Sequence, residues 1–294
     1  MKFVLQKLHG GPEGKEDLLN LIKKTARKLL VENTPPNLRL FILRNYFYHC
    51  KGDYVKPEVD LFRRLSDPAK ATLDIGANAG VYSMYLCRFA RQLYCFEPLP
   101  WLADGMKKTF VATTNVKVEN CALGSKNESA TIRIPVTQNR RCDTRSSLAR
   151  NQDDQVINGE KVTEIEELQV AVKRLDDFRF PNIGFIKMDV EGFELEVLKG
   201  ARETIQQNLP VMFIEIEQRH HKDIPIPSIF QVILDLGYDG FFQFEKNLLP
   251  ISQFELARHQ PAATAGAKGA HCGNFIFLPR MMPTARRTGI VQRT

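Results

Sequence analysis

Strand and helix signals alternate along this chain from residue 71 onward, and that alternation restricts the fold more than any other feature. Apolar and β-branched runs at 71–75, 92–96 and 116–120 read as strands, and 81–90 and 101–110 carry helical spacing. Ala130 to Val136 reads as an extra strand. Strands follow at 184–190 and 211–216, with helical material at 195–206, broken near Gly200, and at 227–236. Late strands at 240–244 and 274–278 complete the pattern. Strands that alternate with helices are joined by crossovers, which predicts an α/β fold: an open, mostly parallel sheet with helices on both faces.

The first strand ends in Leu73-Asp74-Ile75-Gly76-Ala77-Asn78-Ala79-Gly80, an acidic residue and a small-residue turn that opens a helix. Strand, glycine turn and helix make a crevice of the kind that holds a nucleotide. The next strand runs from Leu93 to Phe96 and ends in Glu97, 21 positions after Gly76, near the spacing at which a carboxylate accepts hydrogen bonds from ribose hydroxyls. A pyrophosphate requires a bare glycine backbone and no competing anion. Here Asn78 takes the middle glycine position and Asp74 precedes the turn. Asp74 would repel phosphates and suit a ligand with an ammonium group and a sulfonium centre, so the expected ligand is S-adenosylmethionine rather than a dinucleotide.

Ile186-Lys187-Met188-Asp189-Val190-Glu191-Gly192-Phe193-Glu194 repeats that logic: an apolar strand ends in carboxylates and a glycine before a helix. In open parallel sheets ligands gather at the carboxyl ends of strands, so Asp189 and Glu191 are expected to face the same crevice as Asp74 and Glu97. A helix cap or turn former is the lesser reading of Asp189, whereas Glu194 reads first as an ordinary first-turn acid.

Composition bounds the rest. With 294 residues, 43% apolar and 26% charged, the chain can bury one large core with a small accessory region. Met1 to Leu8 is too short and too interrupted by Lys2, Gln6 and Lys7 for a signal peptide. No apolar run approaches the about 20 residues of a membrane span, which points to a cytoplasmic protein. The six cysteines form no C-x-x-C pair and imply no disulfide framework. Net charge is +7, but the excess lies at the ends: +6 over residues 1–70 and +4 over 280–294, leaving 71–279 at −3. An acidic catalytic core argues against a nucleic-acid substrate. The basic ends allow contact with an anionic membrane surface, or are solvated helix faces and a loose tail.

Three N-terminal helices are expected ahead of the alternating region: an amphipathic one over 15–31, a second over 38–48 and a short one over 58–65, stopped by Pro68. They make residues 1–70 a helical cap on a binding domain of residues 71–279, with 280–294 a basic tail. Within the domain, 137–168 reads as a polar, irregular insertion with Arg140, Arg141, Arg145 and Ser146-Ser147 in its first half, and 261–273 as a flexible connection. An irregular segment that long is usually functional or mobile.

The chain resembles the FkbM-type methyltransferases, a branch of the S-adenosylmethionine-dependent class I fold. The resemblance rests on LDIGANAGVYS (Leu73 to Ser83), CFEPLP (Cys95 to Pro100), NCALGS (Asn120 to Ser125), IKMDVEGFELEVLKGA (Ile186 to Ala201) and NFIFLP (Asn274 to Pro279), and covers about residues 70 to 279. It implies a Rossmann-like class I methyltransferase fold and methylation of a hydroxyl oxygen on a carbohydrate or related small metabolite. By that resemblance Asp74, Gly76, Asn78 and Gly80 would hold the methionine end of the cofactor, Glu97 the ribose, and residues near Ala122 and Leu123 the adenine.

Methylating a hydroxyl calls for a positioned base, with Asp189 the first candidate and Glu191 the second. His220 is a third, on the strength of its ordinary pKa, although a histidine after a strand is often incidental. Asp189, Glu215 and a histidine also suggest a magnesium or other divalent site, but their scattered spacing makes no metal motif. His271-Cys272 lacks the second ligand pair that zinc needs. Two rival readings stay open, a non-catalytic S-adenosylmethionine-binding interaction module and a nicotinamide-dependent oxidoreductase. The sequence sets neither the acceptor nor the oligomeric state.

Overall fold

The computed structural model describes residues 35, 40, 43–44, 52–138, 140–149, 156–157, 159–221, 223–244, 247–261 and 271–291. The helix expected over 15–31 lies outside these residues, as does 262–270 of the expected flexible connection. Of 38–48 only 40, 43 and 44 are described, and these are helical.

Helix α1 (Gly52–Leu65) leads into β1 (Ala71–Ile75), the short helix α2 (Ser83–Leu86), β2 (Gln92–Phe96), α3 (Pro100–Thr109) and β3 (Val116–Glu119). The two-residue β4 (Ala122–Leu123) opens a second sheet with β5 (Glu128–Thr137), β6 (Val156–Ile157) and β7 (Glu160–Lys173). The chain returns through β8 (Ile183–Met188), α4 (Glu194–Gly200), α5 (Arg202–Asn208), β9 (Val211–Glu215) and α6 (Ile226–Asp235). It closes with β10 (Tyr238–Phe244), β11 (Asn247–Pro250), α7 (Leu256–His259), β12 (Asn274–Pro279) and α8 (Thr284–Val291).

Among the described residues the main sheet has the order β11-β10-β12-β9-β8-β1-β2-β3. β3, β2, β1, β8 and β9 run parallel, while β12 and β10 are antiparallel to their neighbours. Successive side chains of a strand point to opposite faces, and here both faces are buried. In β8 Phe185 packs with Phe62 of α1 and Met84 of α2, while its neighbour Ile186 packs with Val197 of α4 and Ile205 of α5. Phe275 and Phe277 of β12 join the second layer, and Ile276 and Leu278 the first. Such double burial explains why these strands read as continuous apolar runs rather than alternating ones. The order and two-sided cover are those of the expected class I methyltransferase fold.

Three expectations need correction. The helix expected over 81–90 is regular only from Ser83 to Leu86, with turns on either side. The segment 137–168 is not irregular throughout: β7 begins at Glu160 and pairs antiparallel with β5 from Thr137↔Val162 to Glu128↔Val172. β7 escaped the sequence reading because its first ten residues are all exposed or half-buried and lack an apolar alternation. Residues 280–291 of the arginine tail are no loose end either, and 292–294 lie outside the described residues. α8 buries Ile290, Arg287 pairs with Asp239, and Arg286 lies 3.5 Å from Asp67. No helix among the described residues is long and apolar enough to cross a membrane.

Candidate functional site

Ile75 pairs with Phe96 on one side and with Met188 on the other, so β1, β2 and β8 end level with one another. The chain leaves β1 toward β2 in one direction and reaches β8 in the other, which makes this the point where strand order reverses. The segments after these three ends surround a cavity of about 280 Å³. Gly76 and Asn78 line it from the turn, Glu97 from the end of β2, and Asp189 and Glu191 from the end of β8. Ala122 and Leu123 of β4 line it too.

Gly76 has φ +75°, and a Cβ there would lie 1.8 Å from the carbonyl oxygen of Asp189. The Asp189 N–H in turn donates to Ile75 O at 3.0 Å. Glycine is thus required because the end of β8 presses on the turn, which brings Asp189 to the cavity. Asn78, with φ +51°, holds its own turn by accepting from Ala79 N at 2.7 Å. Glu97 spans the opening: Oε2 accepts from Asn78 N and Oε1 from Leu99 N, each at 2.8 Å. Burial pushes its carboxyl up to about 7 against the pull of those two N–H groups.

Two residues assigned to the cofactor by resemblance do not line the cavity. Asp74 lies within β1 rather than at its end, in register with Cys95 and Lys187. It is fully buried, accepts from Ser83 Oγ at 2.5 Å and stands 3.6 Å from Lys187 Nζ. Burial is the largest influence on its carboxyl and raises its pKa. Gly80, also at positive φ, packs against Met106 and Phe110. Its role is to let α3 approach.

Lys187, passed over in the sequence, lines the cavity from inside an entirely buried strand. Its Nζ lies 3.4 Å from Asp189 Oδ2 and 3.4 Å from Gly76 O, and 5.5 Å over the Tyr82 ring. Burial lowers its pKa, but Asp189, Asp74 and Glu215 together outweigh burial and hold it charged. A lysine inside the apolar run Ile183 to Met188 was the available signal, since such a residue is buried only with partners.

Glu191 is held in a left-handed conformation at φ +51° and is followed by Gly192 at φ +98°. Ser147 Oγ donates to its carbonyl at 2.5 Å. Arg145 approaches its carboxylate at 3.5 Å, and His220 Nε2 stands 3.1 Å away, off hydrogen-bond alignment. Burial, reinforced by Asp189, pushes the Glu191 carboxyl up to about 8. His220 sits behind Glu191 rather than in the cavity wall. Burial, with Arg219 beside it, lowers its pKa to about 3, so it is neutral and a weaker base than its ordinary pKa suggested. Glu215 is half-buried at the end of β9, and the charge of Asp189, with the loss of solvent around it, raises its pKa well above the usual range. Among the described residues no three His, Cys, Asp or Glu side chains are grouped to hold a metal ion.

A family model for the methyltransferase FkbM domain matches residues 74–239, the stretch that contributes every strand end and turn of this cavity. "Methyltransferase 1" of Beauveria bassiana (strain ARSEF 2860) is 28% identical over 141 residues, 44% of this chain and 57% of that protein. "Methyltransferase sdnD" of Sordaria araneosa is 28% identical over 159 residues, 45% of this chain and 60% of that one. The chain thus spans less than two thirds of the length of either relative. The crystal structure of methyltransferase FkbM from Methylobacillus flagellatus KT aligns with 90% of this chain and 60% of that one, with a TM-score of 0.46 and 16% identity. With more than half of its length matched by that family model, including both acidic turns, the chain belongs to the methyltransferase FkbM domain family.

Proposed function

We propose that this protein transfers a methyl group from S-adenosylmethionine to a hydroxyl oxygen of a carbohydrate or related small metabolite. The observation that carries the reading is the convergence on one cavity of the Gly76–Asn78 turn, Glu97 and Asp189 from three level strand ends. The cavity fits such a cofactor chemically. Its wall carries the carboxyls of Glu97, Asp143 and Asp189 against Lys187, a balance that repels pyrophosphate and suits a cation. Buried oxygens of Asp143 and Ser146 have no hydrogen-bond partner among the described residues and stand ready for a ligand. Membership of a methyltransferase family favours this reading over the nicotinamide one.

S-adenosylmethionine, when bound, supplies an electrophilic methyl group on a sulfonium cation. The turn at Gly76 and Asn78 would take its methionine end, Glu97 its ribose, and Ala122 with Leu123 its adenine. Asp189 then accepts the proton of the acceptor hydroxyl, and Lys187 at 3.4 Å orients that carboxylate. Glu191, carrying a proton at neutral pH, donates a hydrogen bond to the acceptor. The acidic wall supports an uncharged acceptor over a phosphorylated one.

Calorimetry with S-adenosylmethionine, S-adenosylhomocysteine and NAD tests the ligand, and mass spectrometry of reactions with neutral polyols and their phosphate esters tests the transfer. NAD binding without a response to either sulfur compound would overturn the reading. Binding of S-adenosylmethionine with no methylated product from a broad hydroxyl panel would leave the non-catalytic module.

A further inference from the structure

The cavity has a wall that no sequence motif announced. After β5 the chain turns back along the hairpin, and its return is pinned by backbone hydrogen bonds: Cys142 N to Pro135 O at 2.8 Å, and Arg133 with Ser147 in both directions at 3.0 and 3.1 Å. Between these anchors Asp143–Arg145 forms a 3-10 turn over the cavity. Trp101, in the first turn of α3, holds the turn from below. Its Nε1 donates to Asp143 Oδ2 at 3.1 Å, and Arg141 covers its ring at 4.1 Å. Asn78 Nδ2 reaches Asp143 O at 3.5 Å from the glycine turn.

This arrangement fixes the Asp143 carboxylate and leaves half of it unused. Oδ2 belongs to Trp101, whereas Oδ1 is buried and has no hydrogen-bond partner among the described residues. A buried acceptor left unpaired is destabilising, and more so when charged, so a fold that keeps one beside a cavity gains when a ligand donor arrives. The surroundings point to the kind of donor. Trp101 follows Glu97 by four residues, which puts Asp143 on the same side as the expected ribose carboxylate. The neighbouring wall is apolar, from Leu99, Ile132 and Leu148, and suits a flat base.

We infer that Asp143 is a cofactor-binding residue, its free oxygen accepting a hydrogen bond from the nucleoside end of S-adenosylmethionine, either the exocyclic amine of adenine or a ribose hydroxyl. The inference rests on the proposed cofactor and extends it to a residue of the hairpin return. It gives the hairpin a function: β5 carries to the cavity a polar group that the main sheet does not supply.

Asp143→Asn is the informative variant, because its oxygen can keep the Trp101 hydrogen bond while an N–H donor replaces the free acceptor. Trp101 is the chain's single tryptophan, so its fluorescence reports whether the turn is intact. Calorimetry would compare wild type and variant with S-adenosylhomocysteine, S-inosylhomocysteine, in which a carbonyl replaces the amine, and the 2′-deoxy and 3′-deoxy analogues. Wild type is expected to favour S-adenosylhomocysteine over one of the edited ligands by about tenfold or more. In Asp143→Asn that preference shrinks or reverses for the inosyl ligand if the partner is the amine. It shrinks for a deoxy ligand if the partner is a hydroxyl. Relative affinities unchanged between the two proteins would overturn the assignment, whatever the absolute loss. Should the variant lose the native Trp101 emission, equal binding of all four ligands by wild type would overturn it, and discrimination against the inosyl ligand, which the ribose carboxylate Glu97 does not explain, would support it. Failure of wild type to bind any of these ligands would instead count against the proposed cofactor.

Discussion

Asp189 and Glu191 end the same strand two residues apart, yet their surroundings give them different work. Asp189 shares its carboxylate with a charged lysine and is more than a quarter exposed, whereas Glu191 is more enclosed, with an unaligned histidine at 3.1 Å and Arg145 at 3.5 Å. Asp189→Asn keeps the shape and the N–H to Ile75 but removes the proton acceptor. With an acceptor in hand, its turnover is expected to fall about 10²–10⁴-fold while calorimetric affinity for S-adenosylhomocysteine stays near wild type. Turnover within a few-fold of wild type would remove Asp189 from the chemistry. Glu191 predicts a pH effect on stability. Below about pH 4.5 its carboxyl is neutral in folded and unfolded chains alike. Between there and about pH 8 the unfolded chain ionises while the folded one keeps its proton, so stability declines across that window and the loss is complete above it. Glu97 contributes in the same direction up to about pH 7. Glu191→Gln should therefore be more stable than wild type above pH 8, by up to a few kcal/mol, with the gap closing toward pH 4.5. Urea denaturation at several pH values measures this, and a gap independent of pH would refute it.

At the scale of elements, the second sheet is tied to the cavity more than to the core. Ile132 and Ile134 of β5 and Val170 of β7 pack with Leu99 in a small cluster of their own, to which Trp101 and Leu148 add partly buried surface. Ile186 of β8 lies in the main core. Truncating a buried isoleucine to alanine costs about 2–5 kcal/mol, and what that cost damages depends on the cluster. Ile134→Ala is expected to loosen the hairpin return and weaken S-adenosylhomocysteine binding severalfold. Ile186→Ala is expected to lower global stability by about that range with cofactor affinity retained. Calorimetry and denaturant unfolding of both variants separate the two, and equal ligand affinity in Ile134→Ala would show that the hairpin does not support the cavity wall.

At the scale of the whole molecule, the C-terminal segment is a packed element. Arg280 and Arg287 share Asp239, and Arg286 reaches Asp67 and donates to Leu65 O at 3.1 Å. The Asp239 pairs are partly exposed, and exposed pairs contribute at most about 1 kcal/mol. Ile290 is 2% exposed and joins the core layer of Phe62 and Leu65. Ile290→Ala should thus destabilise by about 2–5 kcal/mol, and Asp239→Asn by less than about 1 kcal/mol. The opposite order in chemical denaturation would mean that charge rather than burial holds α8 in place.

What the sequence alone determined is local in origin. Apolar runs, glycine positions and acidic strand ends are set by backbone sterics and by the need to bury both faces of a parallel sheet, so the alternation, the turn at Gly76 and the placement of Glu97, Asp189 and Glu191 could all be read from it. Only the tertiary structure decided what depends on register and on distant partners. Register turned Asp74 toward Ser83 and Lys187 instead of the cavity, and a hydrogen bond from Trp101, 42 residues away in sequence, fixed Asp143. The outer part of β7 buries too little to leave an apolar signature, and a buried lysine is held by carboxylates at the end of its own strand and on neighbouring strands. Neither has a wholly local cause: the outer part of β7 left no local signal, and the lysine showed only as a charge within an apolar run.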